Sequence, residues 1–326
     1  MNLTAYYLNF LAPLHLGDTK PDTYENSETY LRSDTIMAAV MSIWGKTGRQ
    51  DWIGNGDPGF IISSAFPYFW KDSGYVHFFP RIKLPFNLPD FDNSMAKAVK
   101  KISWMDQGYF EKVINREVLS SSFYQDIQGD FLSGDKIPNH LISKEVSERV
   151  MIPRDRSQDD SDPFYMERIF FNSGGLYFMA LGDNLDRLDE ALDILRYEGL
   201  GTDRSVGNGY FSWSRSEISI KVPEGADYGI NLGLYCPENK ETLYNQMDEN
   251  ASYELVKRGG WITAEGYNGI EKNSVYMMGE GSLLKTKETI AGRSDIDLSP
   301  TGLPKEMLPP HKIFRNGRTL FVPVKI

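Results

Sequence analysis

Cysteine is nearly absent from this sequence, which has 326 residues and a single cysteine, Cys236. One cysteine excludes an internal disulfide framework and a cysteine zinc site. The four histidines, at positions 15, 77, 140 and 311, show no metal-ligand spacing. These counts give no sign of secretion, and we expect the protein to bind no metal ion and no cofactor.

Long hydrophobic runs and a leader sequence are also missing. The longest apolar stretch, near residues 36–44, is too short to span a bilayer. The first residues alternate like a strand and lack the charged region, apolar core and cleavage site of a signal peptide. These absences predict a soluble, cytoplasmic protein without a membrane partner.

Catalytic motifs are absent as well. The sequence has no Gly-x-Ser-x-Gly elbow, and no recognisable motif surrounds its cysteine. Nothing in the sequence indicates catalysis, and we expect no enzymatic activity.

Positive charge is in short supply overall, with 35 Lys and Arg against 45 Asp and Glu and a net charge of −10. This balance argues against a protein that coats nucleic acid unaided. The distribution is uneven, because residues 71–116 carry eight basic against five acidic residues and residues 311–326 carry four against none. Residues 155–198 carry eleven acids against four bases. The basic runs suit contacts with RNA, whereas the acidic surfaces suit protein partners or solvent.

A glycine-rich loop, residues 199–209, is the most informative stretch that is present, with four glycines and an asparagine. Leucine spacing predicts an amphipathic helix over 184–198, and alternation predicts a strand over 210–220. Common nucleotide-binding loops run in the opposite order, from strand to helix. Because the dipole at a helix C-terminus disfavours anions, the backbone amides need help from Arg204, Ser205 and Thr202 to hold a phosphate here. The alternative is a glycine cap followed by a long turn.

Basic and aromatic residues occur together in two stretches of the N-terminal half. Arg81 and Lys83 lie in a proline-rich extended segment, and Lys100 lies in a basic run before Trp104. This mixture suits stacking and phosphate contacts with single-stranded RNA, and a solvated edge is the alternative. His15 follows the first predicted strand, where functional loops collect, although a histidine packed under a turn explains it equally well.

Predicted strands outnumber predicted helices in both halves of the chain. A helix opens with Ser33 or Asp34 as its cap, and residues 164–181 predict a hairpin. We predict an α+β fold of two ferredoxin-like, RRM-like domains. The first, residues 1–150, carries a basic insertion, and the second, residues 151–326, carries the glycine-rich loop.

Several short motifs are spread along nearly the whole chain. They are Leu14-His15-Leu16-Gly17, Ser33-Asp34-Thr35, Ser63-Ser64-Ala65-Phe66-Pro67, Lys100-Lys101-Ile102-Ser103-Trp104, Arg258-Gly259-Gly260-Trp261 and Glu280-Gly281-Ser282. Together with the glycine-rich loop, they resemble the RAMP superfamily. The resemblance is strongest to its Csm-family subunit that caps the guide RNA of type III-A CRISPR effector complexes.

The resemblance implies two RRM-like domains that bind the repeat-derived 5′ tag of the CRISPR RNA (crRNA) without cutting it. It also implies docking on the large polymerase-like subunit and on a backbone RAMP subunit of an antiviral defence complex. We expect the glycine-rich loop to approach the RNA backbone so closely that a Cβ at Gly201 or Gly207 would clash or force an unfavourable φ. The predicted RNA-binding residues are His15, Gly17, Arg32, Ser33, Arg81, Lys83, Lys100, Arg154, Arg156, Gly199, Gly201, Arg204, Ser205, Gly207 and Gly209.

The sequence leaves two alternatives open. One is a metal-independent RAMP endoribonuclease that processes precursor crRNA, with His15 as general acid or base. The other is a protein-binding scaffold whose glycine-rich loop only packs against a neighbouring segment.

Overall fold

The computed structural model describes residues 1–17, 24–53, 57–88, 91–151, 162–262, 267 and 269–326. Its α-helices are α1 (Ser33–Lys46), α2 (Gln50–Ile53), α3 (Ala96–Lys101), α4 (Gln107–Ile114), α5 (Leu185–Glu198) and α6 (Lys240–Gln246). Its strands are β1 (Asn2–Phe10), β2 (Phe60–Ile62), β3 (Phe66–Lys71), β4 (Gly74–Pro80), β5 (Trp104–Asp106), β6 (Ile127–Gln128), β7 (Phe131–Leu132), β8 (Ile142–Met151), β9 (Asp162–Phe171), β10 (Gly174–Gly182), β11 (Phe211–Ser219), β12 (Tyr228–Asn231), β13 (Leu255–Arg258), β14 (Val275–Met278), β15 (Leu283–Lys285), β16 (Ile290–Ala291), β17 (Ile296–Asp297), β18 (Phe314–Arg315) and β19 (Thr319–Val324).

The main sheet has nine strands, in the order β11-β1-β10-β3-β4-β5-β7-β6, with β2 also paired to β10. Strand β1 pairs antiparallel on both sides, so that Tyr7 lies opposite Tyr177 of β10 and Ser214 of β11. Strands that precede and strands that follow residue 150, the predicted domain boundary, therefore lie next to one another in one sheet. The α+β class is confirmed, whereas the division into two ferredoxin-like domains stays a prediction.

Both faces of the main sheet are covered, because successive side chains of a strand point to opposite faces. Tyr6 and Leu8 of β1 pack in the cluster that includes Trp44 of α1 and Leu192 of α5. Tyr7, on the opposite face, packs in a separate hydrophobic cluster, which includes residues of α4 and of strands β12 and β19. Within the described residues, none of these helices has the length and apolar character that crossing a membrane requires.

A second sheet of four strands, in the order β15-β12-β19-β16, lies against the main one. The backbone N–H of Ser64 donates to the carbonyl of Leu232 at 2.8 Å. The N–H of Leu234 donates to the Ser33 hydroxyl at 3.0 Å. Ser33 is the first helical residue of α1, with Arg32 as the cap. The predicted cap is wrong, and the Ser33 hydroxyl instead accepts from the N–H of Leu234, three residues after β12.

The predicted hairpin over residues 164–181 is wrong in its pairing. The two strands exist as β9 and β10, but β9 pairs with β8 along its whole length in a separate two-stranded sheet. Strand β10 is buried along most of its length and lies between β1 and β3 in the main sheet. An apolar strand gains more from a central position than from a hairpin with a partly exposed neighbour.

Candidate nucleic-acid interface

A cleft of about 730 Å³ lies between the end of β4 and the β13–β14 pair. Four of the predicted RNA-binding residues line it: Arg32, Arg81, Lys83 and Lys100. Arg32 precedes α1, Arg81 and Lys83 follow β4, and Lys100 lies in α3. The fold thus brings together cations that lie in three separate stretches of the sequence, from Arg32 to Lys100.

Arg32 is the most constrained of the four. Its guanidinium pairs with Glu28 and with Glu280, each at 2.8 Å, and its side chain is only 11% exposed. Burial alone lowers the pKa of Arg32, but Glu280, Tyr30 and Glu28 outweigh it and raise the pKa above its ordinary value. Arg32 is therefore charged and already held by two carboxylates.

The other three cations differ in how freely they meet a ligand. Arg81 donates to the carbonyls of Val99 and Ile102, and burial lowers its pKa. Lys83 Nζ lies 2.6 Å from a carboxylate oxygen of Glu254, whose side chain is 65% exposed. Lys100 is exposed and forms no ion pair within the described residues. Lys100 is thus the unpaired cation among the described residues of this cleft, and Lys83 is held only by a largely exposed carboxylate that a phosphate could replace.

The helix and the strand predicted around the glycine-rich loop are confirmed as α5 and β11. Gly201 has a φ of +86°, and a Cβ there would lie 2.4 Å from the carbonyl oxygen of His15. The N–H of Thr202 donates to that oxygen at 3.0 Å, and the N–H of Gly209 donates to Pro13 at 2.8 Å. The close approach expected at Gly201 is therefore made to the protein's own backbone. Contact between this loop and RNA stays a prediction.

His15 is buried, with 1% of its surface exposed. Its Nδ1 lies 2.6 Å from the carbonyl oxygen of Glu167, and its ring lies near that of Tyr24. Gly17, two residues on, is exposed and bridges to Ser27. The backbone of the segment around His15 supports the glycine-rich loop while its side chain faces inward.

Arg204 lies on the outside of the glycine-rich loop, 3.7 Å from a carboxylate oxygen of Glu198 at the end of α5. The same carboxylate pairs with Lys46 of α1 at 2.7 Å. Of the neighbouring predicted residues, Ser205 is exposed and Gly207 has open space around it. Arg204 thus has a structural partner, and its side chain remains 40% exposed. The predicted residues Arg154 and Arg156 lie outside the described residues.

The sequence did not predict the buried ion pairs beside the cleft. Asp34 of α1 is fully buried and pairs with Arg258 of β13 and Arg315 of β18. Burial raises the pKa of Asp34, but the two guanidiniums outweigh it and hold the pKa well below its usual range. Arg258 and Glu280 lie in motifs noted in the sequence, so the motifs were visible but their partners were not.

Metal binding has no structural support in the part of the chain that the structure describes. No group of three or more His, Cys, Asp or Glu side chains there is arranged to hold an ion.

The fold and the cleft define a class: an α+β protein with a large mixed sheet, a smaller second sheet, and a basic cleft between the end of β4 and the β13–β14 pair. Residues 224–324 match the family model described as the CRISPR Csm4 C-terminal domain. The chain is also similar to the CRISPR system Cms protein Csm4 of Methanocaldococcus jannaschii, at 26% identity over 95% of this chain and 94% of that protein. The Csm4 protein of Streptococcus thermophilus is 22% identical over 98% of both chains.

Two solved structures share the fold across the whole chain. The crystal structure of a Csm1-Csm4 cassette in complex with cA4 matches with a TM-score of 0.61 at 18% identity, over 100% of this chain and 99% of that chain. The Csm3-Csm4 subcomplex of a type III-A CRISPR-Cas interference complex matches with a TM-score of 0.61 at 15% identity, over 100% of both chains. The family model and the sequence relatives confirm the resemblance to Csm4-type RAMP subunits that the sequence predicted, and the solved structures show the shared fold.

Proposed function

We propose that this chain is the Csm4-type subunit of a type III-A CRISPR antiviral effector complex. In this role it binds the repeat-derived 5′ tag of crRNA and bridges the large polymerase-like subunit to the backbone RAMP subunits. The observation that carries the RNA-binding role is the cleft, where Lys83 and Lys100 face a groove backed by Arg32 and Arg81. Cations grouped along a groove are the usual means of holding an RNA backbone.

The two partners follow from the family. The related Csm4 chains were solved with Csm1 and with Csm3, and they match this chain over its whole length. The net charge of −10 fits a subunit that shares its RNA groove and meets protein elsewhere. The two RRM-like domains and the cytoplasmic location belong to the same proposal.

The proposal includes a non-catalytic role. A general acid or base must reach the proton that it transfers. The His15 ring is buried, and its Nδ1 lies 2.6 Å from the Glu167 carbonyl oxygen, which supports a structural role for this histidine. The endoribonuclease alternative therefore has no observation in its favour.

The test is to purify the tagged chain with its partner subunits and to sequence the bound RNA. We expect crRNA with an intact repeat-derived 5′ tag. The Lys83→Ala and Lys100→Ala double variant should retain less of it, with a salt dependence of binding lower by about one unit per lysine removed. Lys287→Ala, which removes an exposed lysine paired with Asp227 outside the cleft, is the matched control. A complex that assembles without crRNA contradicts the proposal.

A further inference from the structure

A second pocket, of about 530 Å³, opens beside the turn between β3 and β4. Its lining comes from four strands of the main sheet and includes Tyr7 and Asn9 of β1, Tyr68 and Trp70 of β3, Tyr75 of β4, and Ser212 of β11. We call it the aromatic pocket. It shares no lining residue with the basic cleft.

The aromatic pocket presents ring surfaces that are held in place from behind. Trp70 and Tyr75 are cross-strand partners and are 44% and 45% exposed. The Tyr75 ring is stacked on the buried ring of Tyr7, with centroids 4.2 Å apart, and meets the buried Tyr68 ring edge-on at 5.6 Å. Rings that are half exposed and fixed by buried neighbours are suited to stacking against a flat ligand.

Hydrogen-bonding groups without a partner lie beside these rings. Tyr68 lines the pocket, and its hydroxyl makes no hydrogen bond with another described residue. The side chains of Asn9, Ser212 and Ser214 also make no hydrogen bond within the described part of the chain. The Asn9 carboxamide offers both a donor and an acceptor, as the edge of a nucleobase requires.

The charge of the aromatic pocket favours a neutral ligand over a phosphate. Its one lysine, Lys71, pairs with Asp135 at 2.6 Å, and the adjacent Asp72 is an acid. No cation of this pocket remains uncompensated, in contrast to Lys100 in the cleft. A planar, neutral ring with hydrogen-bonding edges matches this combination of groups.

We propose that the aromatic pocket binds one base of single-stranded RNA, stacked on Tyr75 and Trp70. The pocket lies at the beginning of β4 and the cleft at its end, so the two are separated by roughly 20 Å along that strand. This inference rests on the proposed function, because that function supplies the RNA. The base site is a second anchor for a strand whose phosphates are held in the cleft.

The test is ultraviolet crosslinking of the assembled complex, with the RNA-linked peptides identified by mass spectrometry. We expect a crosslink to the peptide that contains Trp70 and Tyr75. The Trp70→Ala and Tyr75→Ala double variant should lose this crosslink and bind RNA about tenfold more weakly. Tyr75→Phe, which keeps the ring, should retain both. Melting temperatures of the variants check that all of them fold.

Three outcomes overturn the inference. Crosslinks confined to cleft residues exclude a base in the aromatic pocket and leave the proposed function intact. Loss of a partner subunit from the double variant, with crRNA still bound, shows that the pocket is a protein contact. A wild-type complex without any crRNA overturns the proposed function and this inference together.

Discussion

Gly201 shows how one residue serves the fold although its motif suggested a ligand. The glycine pattern of residues 199–209 predicts a close backbone approach, and a close approach is found. Its partner is the carbonyl of His15, which is nearly two hundred positions away in sequence. The glycine pattern indicates that another group approaches the backbone closely, but it does not identify that group.

Replacing Gly201 with valine should destabilise the protein strongly. The new Cβ would meet the His15 oxygen at 2.4 Å, and the φ of +86° is unfavourable for any side chain. We expect a loss of about 3–5 kcal/mol in the free energy of unfolding, measured with urea. Gly207→Ala is the control, because its φ of +91° is similar but its surroundings are open. It should cost about 1–2 kcal/mol, and equal losses in the two variants would contradict the role of the contact.

Strand β4 connects the two sites, with the aromatic pocket at its beginning and the cleft at its end. Between them lies His77, whose Nε2 is 2.8 Å from the hydroxyl of Tyr7. Burial lowers the pKa of His77 from 6.5 to about 4. The strand therefore carries a neutral imidazole in its middle at physiological pH.

This imidazole predicts an acid-sensitive stability. Below a pH of about 6.5 the unfolded chain binds a proton that folded His77 does not accept, so stability falls from there down to about pH 4. Across this window His77 should account for a loss of roughly 2–3 kcal/mol. Urea unfolding at several pH values should show a shallower fall for His77→Gln. The exposed His311 provides the control, since His311→Gln should keep the wild-type profile.

The positions of some helices and strands were predictable, but those of β4, β8 and α3 and the pairing of the strands were not. The leucine spacing before the glycine-rich loop gave α5, because an amphipathic period is a local property. The pairing of β9 with β8 instead of β10 depends on which neighbour buries more apolar surface, and that is settled by the whole sheet. For the same reason Arg32 and Lys100 were singled out as separate cations, and the cleft that joins them was not foreseen.

Buried charge joins helix α1 to the two small sheets β13–β14 and β17–β18. Asp34 at the beginning of α1 accepts from Arg258 of β13 and from Arg315 of β18, and Asp34 has no exposed surface in its side chain. Another ion pair lies at the surface, between Asp57 before β2 and Arg318 before β19. The two pairs differ mainly in their exposure to water.

This difference makes a matched pair of variants. Asp34→Ala leaves two buried guanidiniums without a carboxylate and should lower the free energy of unfolding by about 3–5 kcal/mol. Asp57→Ala removes an exposed partner and should cost at most about 1 kcal/mol. Because the pKa of Asp34 is depressed, its contribution is present above about pH 4 and is lost as the pH falls further. Urea titrations of both variants at neutral and acidic pH measure these effects. Similar losses of unfolding free energy at neutral pH would argue against a stabilising role for the buried ion pairs of Asp34.

The central position of β1 has a consequence for synthesis on the ribosome. Its two partner strands, β10 and β11, end at Gly182 and Ser219, so both edges of β1 stay unpaired until most of the chain has been made. At a synthesis rate of about 5–20 residues per second, that interval lasts roughly ten to forty seconds. An alternating, apolar strand with two open edges is prone to pair with other chains during this time. A chaperone that binds β1 in the nascent chain would therefore raise the yield of folded protein without affecting the finished molecule.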